Sequence, residues 1–373
     1  MNKKTIIIIS LSLILVILSV TLISTEKFQN KLSKQIFDKC KYDSHCAITF
    51  LQDASKSHDK EIIMNAVNEL IFTYSESLPF CHKNAHHVGN FVYGYLGNVT
   101  DAIELTDPTA CGGATIHGIV ENYLDSQVLL YNVDPAQVDL SICPDSLKSP
   151  TINRWECIHG LGHGLANIYG YDISNATRVC QSFEDWEQIT CAKGLFMENV
   201  NRFIQFEDTD FDKNNLTYPC NKINDTMAGP CYHYQTRFIN YVLKDPEKTI
   251  DFCKSVEDKF SKYCFRGIGN LYASLVVSDI NKIDLLCNTK NIPYEKLTYC
   301  YQGVAMTFAD NRSIPEALIV CQSIPEEFQN DCVNEVGKWI KLVNSDSEEQ
   351  CSMLNSELAK TCMNSKIDEI SIL

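Results

Sequence analysis

The chain has 373 residues, a formal net charge of −15, 18 cysteines and 9 histidines. That acidity argues against nucleic acid or an anionic lipid surface as a partner and favours solubility. Eighteen cysteines would be kept reduced in a cytoplasm and pair outside it, so the composition points to an oxidising compartment.

Residues 5–23 read TIIIISLSLILVILSVTLI, an uncharged run long enough, at about 1.5 Å per helical residue, to cross a bilayer core. Lys3 and Lys4 precede it, which keeps residues 1–4 in the cytoplasm and delivers the chain after Ser24 to the outside. A cleavable signal peptide is the competing reading. The run exceeds a usual signal core and no small-x-small site precedes Thr25-Glu26-Lys27, so an uncleaved anchor is expected. The protein is then a single-pass protein of the cell membrane with its bulk extracytoplasmic. Sequons at Asn98, Asn175, Asn215, Asn224 and Asn311 fit a glycosylated outer surface.

Beyond the anchor, a helical segment is expected over 28–80, His-bearing helical repeats over 81–240 and further repeats over 241–365. The repeat is written in the cysteines. Cys180/Cys191, Cys220/Cys231, Cys253/Cys264, Cys321/Cys332 and Cys351/Cys362 all follow C-x10-C, while Cys143/Cys157 and Cys287/Cys300 are slightly longer. First cysteines recur every 30 to 40 residues, the period of a helical hairpin. After the first cysteine come helix-start residues, as in Gln322-Ser323-Ile324-Pro325-Glu326, Gln181-Ser182-Phe183-Glu184-Asp185 and Asn355-Ser356-Glu357. Ser or Asn is expected to cap the second helix, with Pro and acids in its first turn.

After the second cysteine an apolar stripe keeps helical spacing: Phe265, Ile268 and Tyr272 follow Cys264, and Val333, Val336 and Ile340 follow Cys332. Gly160, Gly194, Gly267 and Gly303 lie beside the stripe at a common position. A helical glycine costs about 1 kcal/mol against alanine, so its recurrence predicts close approach of neighbouring helices. The simplest pairing joins the two cysteines of each unit, and the same logic joins Cys40 to Cys46 and Cys81 to Cys111. Spacing alone leaves inter-repeat bridges open.

This pattern resembles the Sel1/tetratricopeptide class of α-solenoids, above all its secreted cysteine-rich members, over roughly residues 140 to 365. The fold class expected is all-α: disulfide-stapled helical hairpins behind one transmembrane helix. The resemblance implies a concave surface for a protein or peptide ligand.

Seven of the nine histidines lie between residues 82 and 233. Aligning the units by their apolar stripes puts His86, His117, His159 and His233 in one column, with Lys193, Arg266 and Gln302 in the other repeats. One turn later the next column holds Asn90, Glu121, His163, Met197, Arg237, Asn270 and Met306. This face lies about 130° to 170° from the stripe, so these are not obvious core residues.

Residues at i and i+4 share a helical face and can present two ligands to one ion. His82/His86, His117/Glu121 and His159/His163 are three such pairs on successive units, and Zn²⁺, Cu²⁺ and Fe²⁺ all accept this donor set. His87, His233 and Glu198 are further candidates, although Glu198 is more simply a surface acid. A polar, hydrogen-bonded face without metal is the other reading. No phosphate loop, H-E-x-x-H or G-x-S-x-G is present. The sequence therefore supports a membrane-anchored binding or scaffold protein with a transition-metal site. Its rival is a metal-dependent hydrolase or oxidase using His86, His117, Glu121, His159 and His163.

Overall fold

The structure, a computed structural model, describes residues 31–75, 78–143, 151–276, 279–288, 291–311, 313–343 and 346–367. The apolar run at 5–23 lies outside these. Among the described residues no helix is long and apolar enough to cross a membrane.

The described chain is all-α, with no strand. Helix α1, described over 31–40, leads into α2 (Ser44–Ala54), α3 (Lys60–Ser75), α4 (Leu78–Leu96), α5 (Val99–Glu104) and α6 (Ala114–Asp125). Then come α7 (Ile152–Ile168), α8 (Ile173–Cys180), α9 (Asp185–Phe206), α10 (Asp225–Leu243), α11 (Pro246–Ser255) and α12 (Asp258–Val276). The series closes with α13 (Lys282–Asn288), α14 (Leu297–Asn311), α15 (Ile314–Gln322), α16 (Glu326–Leu342), α17 (Ser347–Cys351) and α18 (Ser356–Asn364).

Long helices α4, α6, α7, α9, α10, α12, α14 and α16 pack each on the next in one continuous row, and the shorter helices flank it. Spacing left bridges between repeats open, but the structure joins each cysteine to the next along the chain. Cys40 pairs with Cys46 and Cys81 with Cys111 ahead of the regular units. Within the units the bonds are Cys143–Cys157, Cys180–Cys191, Cys220–Cys231 and Cys253–Cys264, then Cys287–Cys300, Cys321–Cys332 and Cys351–Cys362.

The second cysteine of a unit always lies inside a helix of the row or its continuation. Cys157 is in α7, Cys191 in α9, Cys231 in α10 and Cys300 in α14, and all four are buried. Their partners lie on the short helices α8 and α13 or, for Cys143 and Cys220, on the loops that take the place of such a helix. The bond therefore pins each outer element to the long helix that follows it. A loop of a dozen residues closed in this way contributes about 3 kcal/mol through the unfolded chain.

The apolar stripes form the core. Phe265, Ile268, Val333, Val336, Tyr301, Val304 and Phe308 are all buried. The recurrent glycines are where long helices meet backbone to backbone: a Cβ on Gly194 would lie 1.9 Å from the His159 carbonyl oxygen, and one on Gly303 would lie 2.1 Å from that of Arg266.

One expectation about the connections is corrected. Ser182 and Ser323 do not cap the second helix; their hydroxyls donate to the Val179 and Ile319 carbonyls and close α8 and α15. Pro325 occupies the cap position of α16 itself, where it has no side-chain acceptor to offer. The turn is held instead from the following helix. Gln329 Nε2 donates to the carbonyls of Gln322 and Ile324 at 3.1 and 2.9 Å, and Gln188 does the same to Gln181 at 3.2 Å. Asn355 does cap α18, accepting from Glu357 and Leu358.

The row of long helices curves until α14 comes back to α4. Asp310 of α14 sits so close to the turn before α6 that a Cβ on Gly112 would be 2.9 Å from its Oδ2. The face opposite the apolar stripe is therefore turned inward around a cavity of about 1210 Å³.

Candidate metal centre

All fourteen residues of the two aligned columns line that cavity, from His86, His117, His159 and Glu121 through Lys193 and His233 to Gln302 and Met306. Their distance from the apolar stripe does not expose them. His117 and His163 are each 1% exposed, because the curvature of the row gives the molecule a second, polar interior.

At one end of the cavity four helical side chains converge. One ring nitrogen from each of His82, His86, His117 and His163 lies within 4.8 Å of the others. His82 and His86 come from α4, His117 from α6 and His163 from α7, so three successive long helices contribute. The convergence depends on close helix packing, since a Cβ on Gly118, next to His117, would lie 2.0 Å from the His86 carbonyl oxygen.

Each ring is oriented by an oxygen behind it. His82 Nδ1 is 3.0 Å from the Cys111 carbonyl oxygen, and His86 Nδ1 is 3.0 Å from Glu121 Oε2. His117 Nε2 is 2.9 Å from Glu156 Oε2, and His163 Nδ1 is 3.2 Å from Glu198 Oε2. An N–H donated to these oxygens leaves the opposite nitrogen as a bare lone pair. His117 Nδ1 and His163 Nε2 are buried with no hydrogen-bond partner. The Nε2 atoms of His82 and His86 meet at 3.2 Å, where without a metal one of them carries a proton and donates it to the other.

The support for His82 is a left-handed turn. Cys111, Gly112 and Gly113 have φ of 56°, 61° and 62°, which aims the Cys111 carbonyl at the ring. Glu156 fills the space beside Gly113, where a Cβ would lie 2.3 Å from its carboxyl carbon. Glycine is required there for both conformation and room.

Protonation follows from burial and neighbours. Burial, with the crowding of the other rings, holds His82, His117 and His159 well below the ordinary histidine range. His86 is likewise penalised by burial, but the Glu121 carboxylate, through charge and hydrogen bond, raises it above that range. Burial opposes ionisation of Glu198, yet His163 outweighs it and holds the carboxyl below its usual value. Burial pushes Glu156 well above the usual range, Asp310 adds to this, and Lys193 opposes it. A protonated Glu156 would donate to His117 Nε2. A cation at Nδ1 favours the reverse, with His117 donating to a carboxylate.

The remaining candidates fall elsewhere. His159 stacks on His117 with ring centroids 4.7 Å apart, and its Nε2 is buried without a partner, but it is outside the four-nitrogen group. His233 lines the cavity further along, its pKa driven down to about 3 by burial and by nearby Lys193 and Arg266. His87 Nδ1 instead meets the Ser44 hydroxyl at 2.8 Å and its ring packs on His45. Glu198 is the reverse case: expected as a surface acid, it stands behind His163. Glu156 was not foreseen at all. It lies three residues before His159 on the same helix, so extending the column one turn upstream would have found it.

The cluster can hold a metal ion: four imidazole nitrogens converge, and their orienting oxygens complete the arrangement seen behind metal-ligating histidines. Glu121, Glu198 and His163 form a second, overlapping group of candidate ligands. All cysteines are in disulfides, so no thiolate is offered.

The chain matches no protein-family model, no curated protein and no solved structure. Its likeness to Sel1/tetratricopeptide solenoids therefore rests on helical hairpins and disulfides alone.

Proposed function

We propose that this protein is a membrane-anchored, extracytoplasmic binding protein that holds one transition-metal ion among His82, His86, His117 and His163. The observation that supports it is the shared polarity of the four rings: each has one nitrogen engaged by an oxygen and the other turned toward the common centre without an oxygen partner. A cation at the centre would engage all four nitrogens at once, in place of the proton that His82 and His86 share without it. Imidazole donors without thiolate suit Zn²⁺, Cu²⁺ or Fe²⁺, and a tetrahedral zinc site uses Zn–N bonds of about 2.0–2.1 Å. Glu121, Glu156 and Glu198 orient three of the ligands and offset the charge.

The outward placement rests on Lys3, Lys4 and the apolar run that follows, and nine disulfides agree with an oxidising compartment. Asn98 and Asn215 are exposed and open to glycan, and Asn224 is exposed with its amide 3.4 Å from Gln188 Oε1. Asn175 is half-buried and its amide donates to Asp172 at 2.6 Å, which makes it a poorer acceptor. The side chain of Asn311 lies outside what is described.

The test is metal content. The full-length chain, purified in detergent from an oxidising host and stripped by chelation, is titrated with Zn²⁺. Binding of about one equivalent is expected, and it disappears in a His82→Ala, His163→Ala double variant. Unchanged stoichiometry in that variant would remove the site. The hydrolase or oxidase reading is favoured by the large cavity reaching the cluster. It requires an exchangeable water on the ion, which a centre closed by four imidazoles lacks.

A further inference from the structure

The cavity wall carries several cations, and most are matched by acids. Arg266 Nη2 is 3.1 Å from Glu335 Oε1 and 2.9 Å from Gln302 Oε1. Burial pushes Lys193 down to about 8, outweighing Asp310 and Glu156, which it faces and which raise it. Arg237 differs. It lines the cavity from α10, one turn beyond His233, and has neither a carboxylate nor a hydrogen-bond acceptor among the described residues.

Tyr234 is on the same helical face, three residues earlier, is 8% exposed and lines the same cavity. Its hydroxyl likewise has no partner among the described residues; burial and the charges of Asp310 and Glu156 raise it, and Arg237 opposes them. Arg237 also acts on the rings of His82 and His233. A half-buried guanidinium fork and a buried phenol thus line the same cavity as the metal ligands, with all their donors unspent. A metal dication and an arginine on one cavity repel each other, and an anion held between them would be attracted by both. The apolar rest of the lining, including Trp155, Met197, Met306 and Leu271, suits a carbon skeleton.

We propose that Tyr234 and Arg237 hold the oxyanion head of a small organic anion, a carboxylate or a phosphate, beside the metal at the histidine cluster. This rests on the metal reading above and names the ligand class of that same site. Arginine is suited to the task because its planar fork meets two oxygens at once.

The experiment uses the zinc-loaded full-length chain, freed of excess zinc and titrated calorimetrically with inorganic phosphate and, separately, with succinate. Saturable binding of one of the two near one equivalent is expected, and which one binds distinguishes phosphate from carboxylate. Arg237→Gln weakens it by about tenfold or more while zinc stoichiometry is unchanged. Tyr234→Phe, a smaller change that leaves the guanidinium in place, weakens it several-fold and serves if the arginine variant fails to fold. Binding of neither anion, or variants that bind as the parent does, overturns the proposal and leaves the metal site standing. Failure of the parent chain to take up zinc overturns both.

Discussion

Gly118 of α6 packs directly on the carbonyl of His86 in α4: a Cβ at that glycine would lie 2.0 Å from the His86 oxygen. The two helices that bring His82, His86 and His117 together are therefore in backbone contact at the level of the ligands. No side chain is available there to yield.

Gly118→Ala is expected to force α4 and α6 apart, costing about 1–3 kcal/mol of stability as overpacking does, and to weaken metal binding. Gly94, on α4 with nothing within 4 Å of an added Cβ, is the control. Gly94→Ala should be neutral or stabilising by up to about 1 kcal/mol. Urea unfolding of the two variants checks the contrast, and equal effects would contradict the close approach.

His163 and His159 lie one turn apart on α7, but only His163 belongs to the four-nitrogen group. His163→Gln should lose the zinc equivalent, whereas His159→Gln should retain it with lower affinity through altered packing on His117. Equilibrium dialysis against zinc reads both. Loss in the His159 variant alone would relocate the ion.

The metal-free protein should be less stable in acid. Folded-state values of His82, His117 and His159 are depressed, and that of His233 falls to about 3, against an ordinary 6.5. Between the depressed value and 6.5 the unfolded chain binds more protons than the folded one, so stability rises with pH across that window. Each such group adds up to about 1.4 kcal/mol per pH unit. His86 and Glu156 act in the opposite sense: with their folded values raised, their contributions are present below the unfolded values and are lost as pH rises through the folded ones. Four groups outweigh two. Urea unfolding should give a larger free energy at pH 7 than at pH 5, and the reverse order would sink the assignment.

Removing metal should expose the same strain. Zinc at 100 times its dissociation constant adds about 2.7 kcal/mol of stability, so the thermal midpoint should rise on loading and fall again with chelator. A midpoint indifferent to zinc would speak against binding in the folded cluster.

The Cys81–Cys111 bond should matter to the site and not only to stability, because Cys111 supplies the carbonyl behind His82. Replacing Cys253 and Cys264 by Ser should cost about 3 kcal/mol with zinc affinity intact. Replacing Cys81 and Cys111 should cost roughly as much or slightly more and also reduce zinc affinity. Comparable affinities in the two variants would show that the turn holds itself.

Much of the architecture was readable without coordinates. Hairpin period, apolar stripe and recurrent glycine are local properties repeated along the chain, and aligning units on the stripe put His86, His117 and His159 in one column. The helix caps were read less well. Ser182 and Ser323 have the residue type of a cap, but Gln188 and Gln329, a turn into the next helix, satisfy the connection, and a glutamine there looks like any surface residue.

Sequence by itself determined which residues share a face, because helical geometry and a fixed repeat carry each position to the same angle in every unit. Only the tertiary structure decided that this face is an interior one. The inward turn of the row, with α14 returning to α4, is the accumulated effect of packing angles between many helices. No single repeat records it, and it is what buries the histidines, puts Glu156 and Glu198 behind them, and leaves Arg237 facing the same enclosed space.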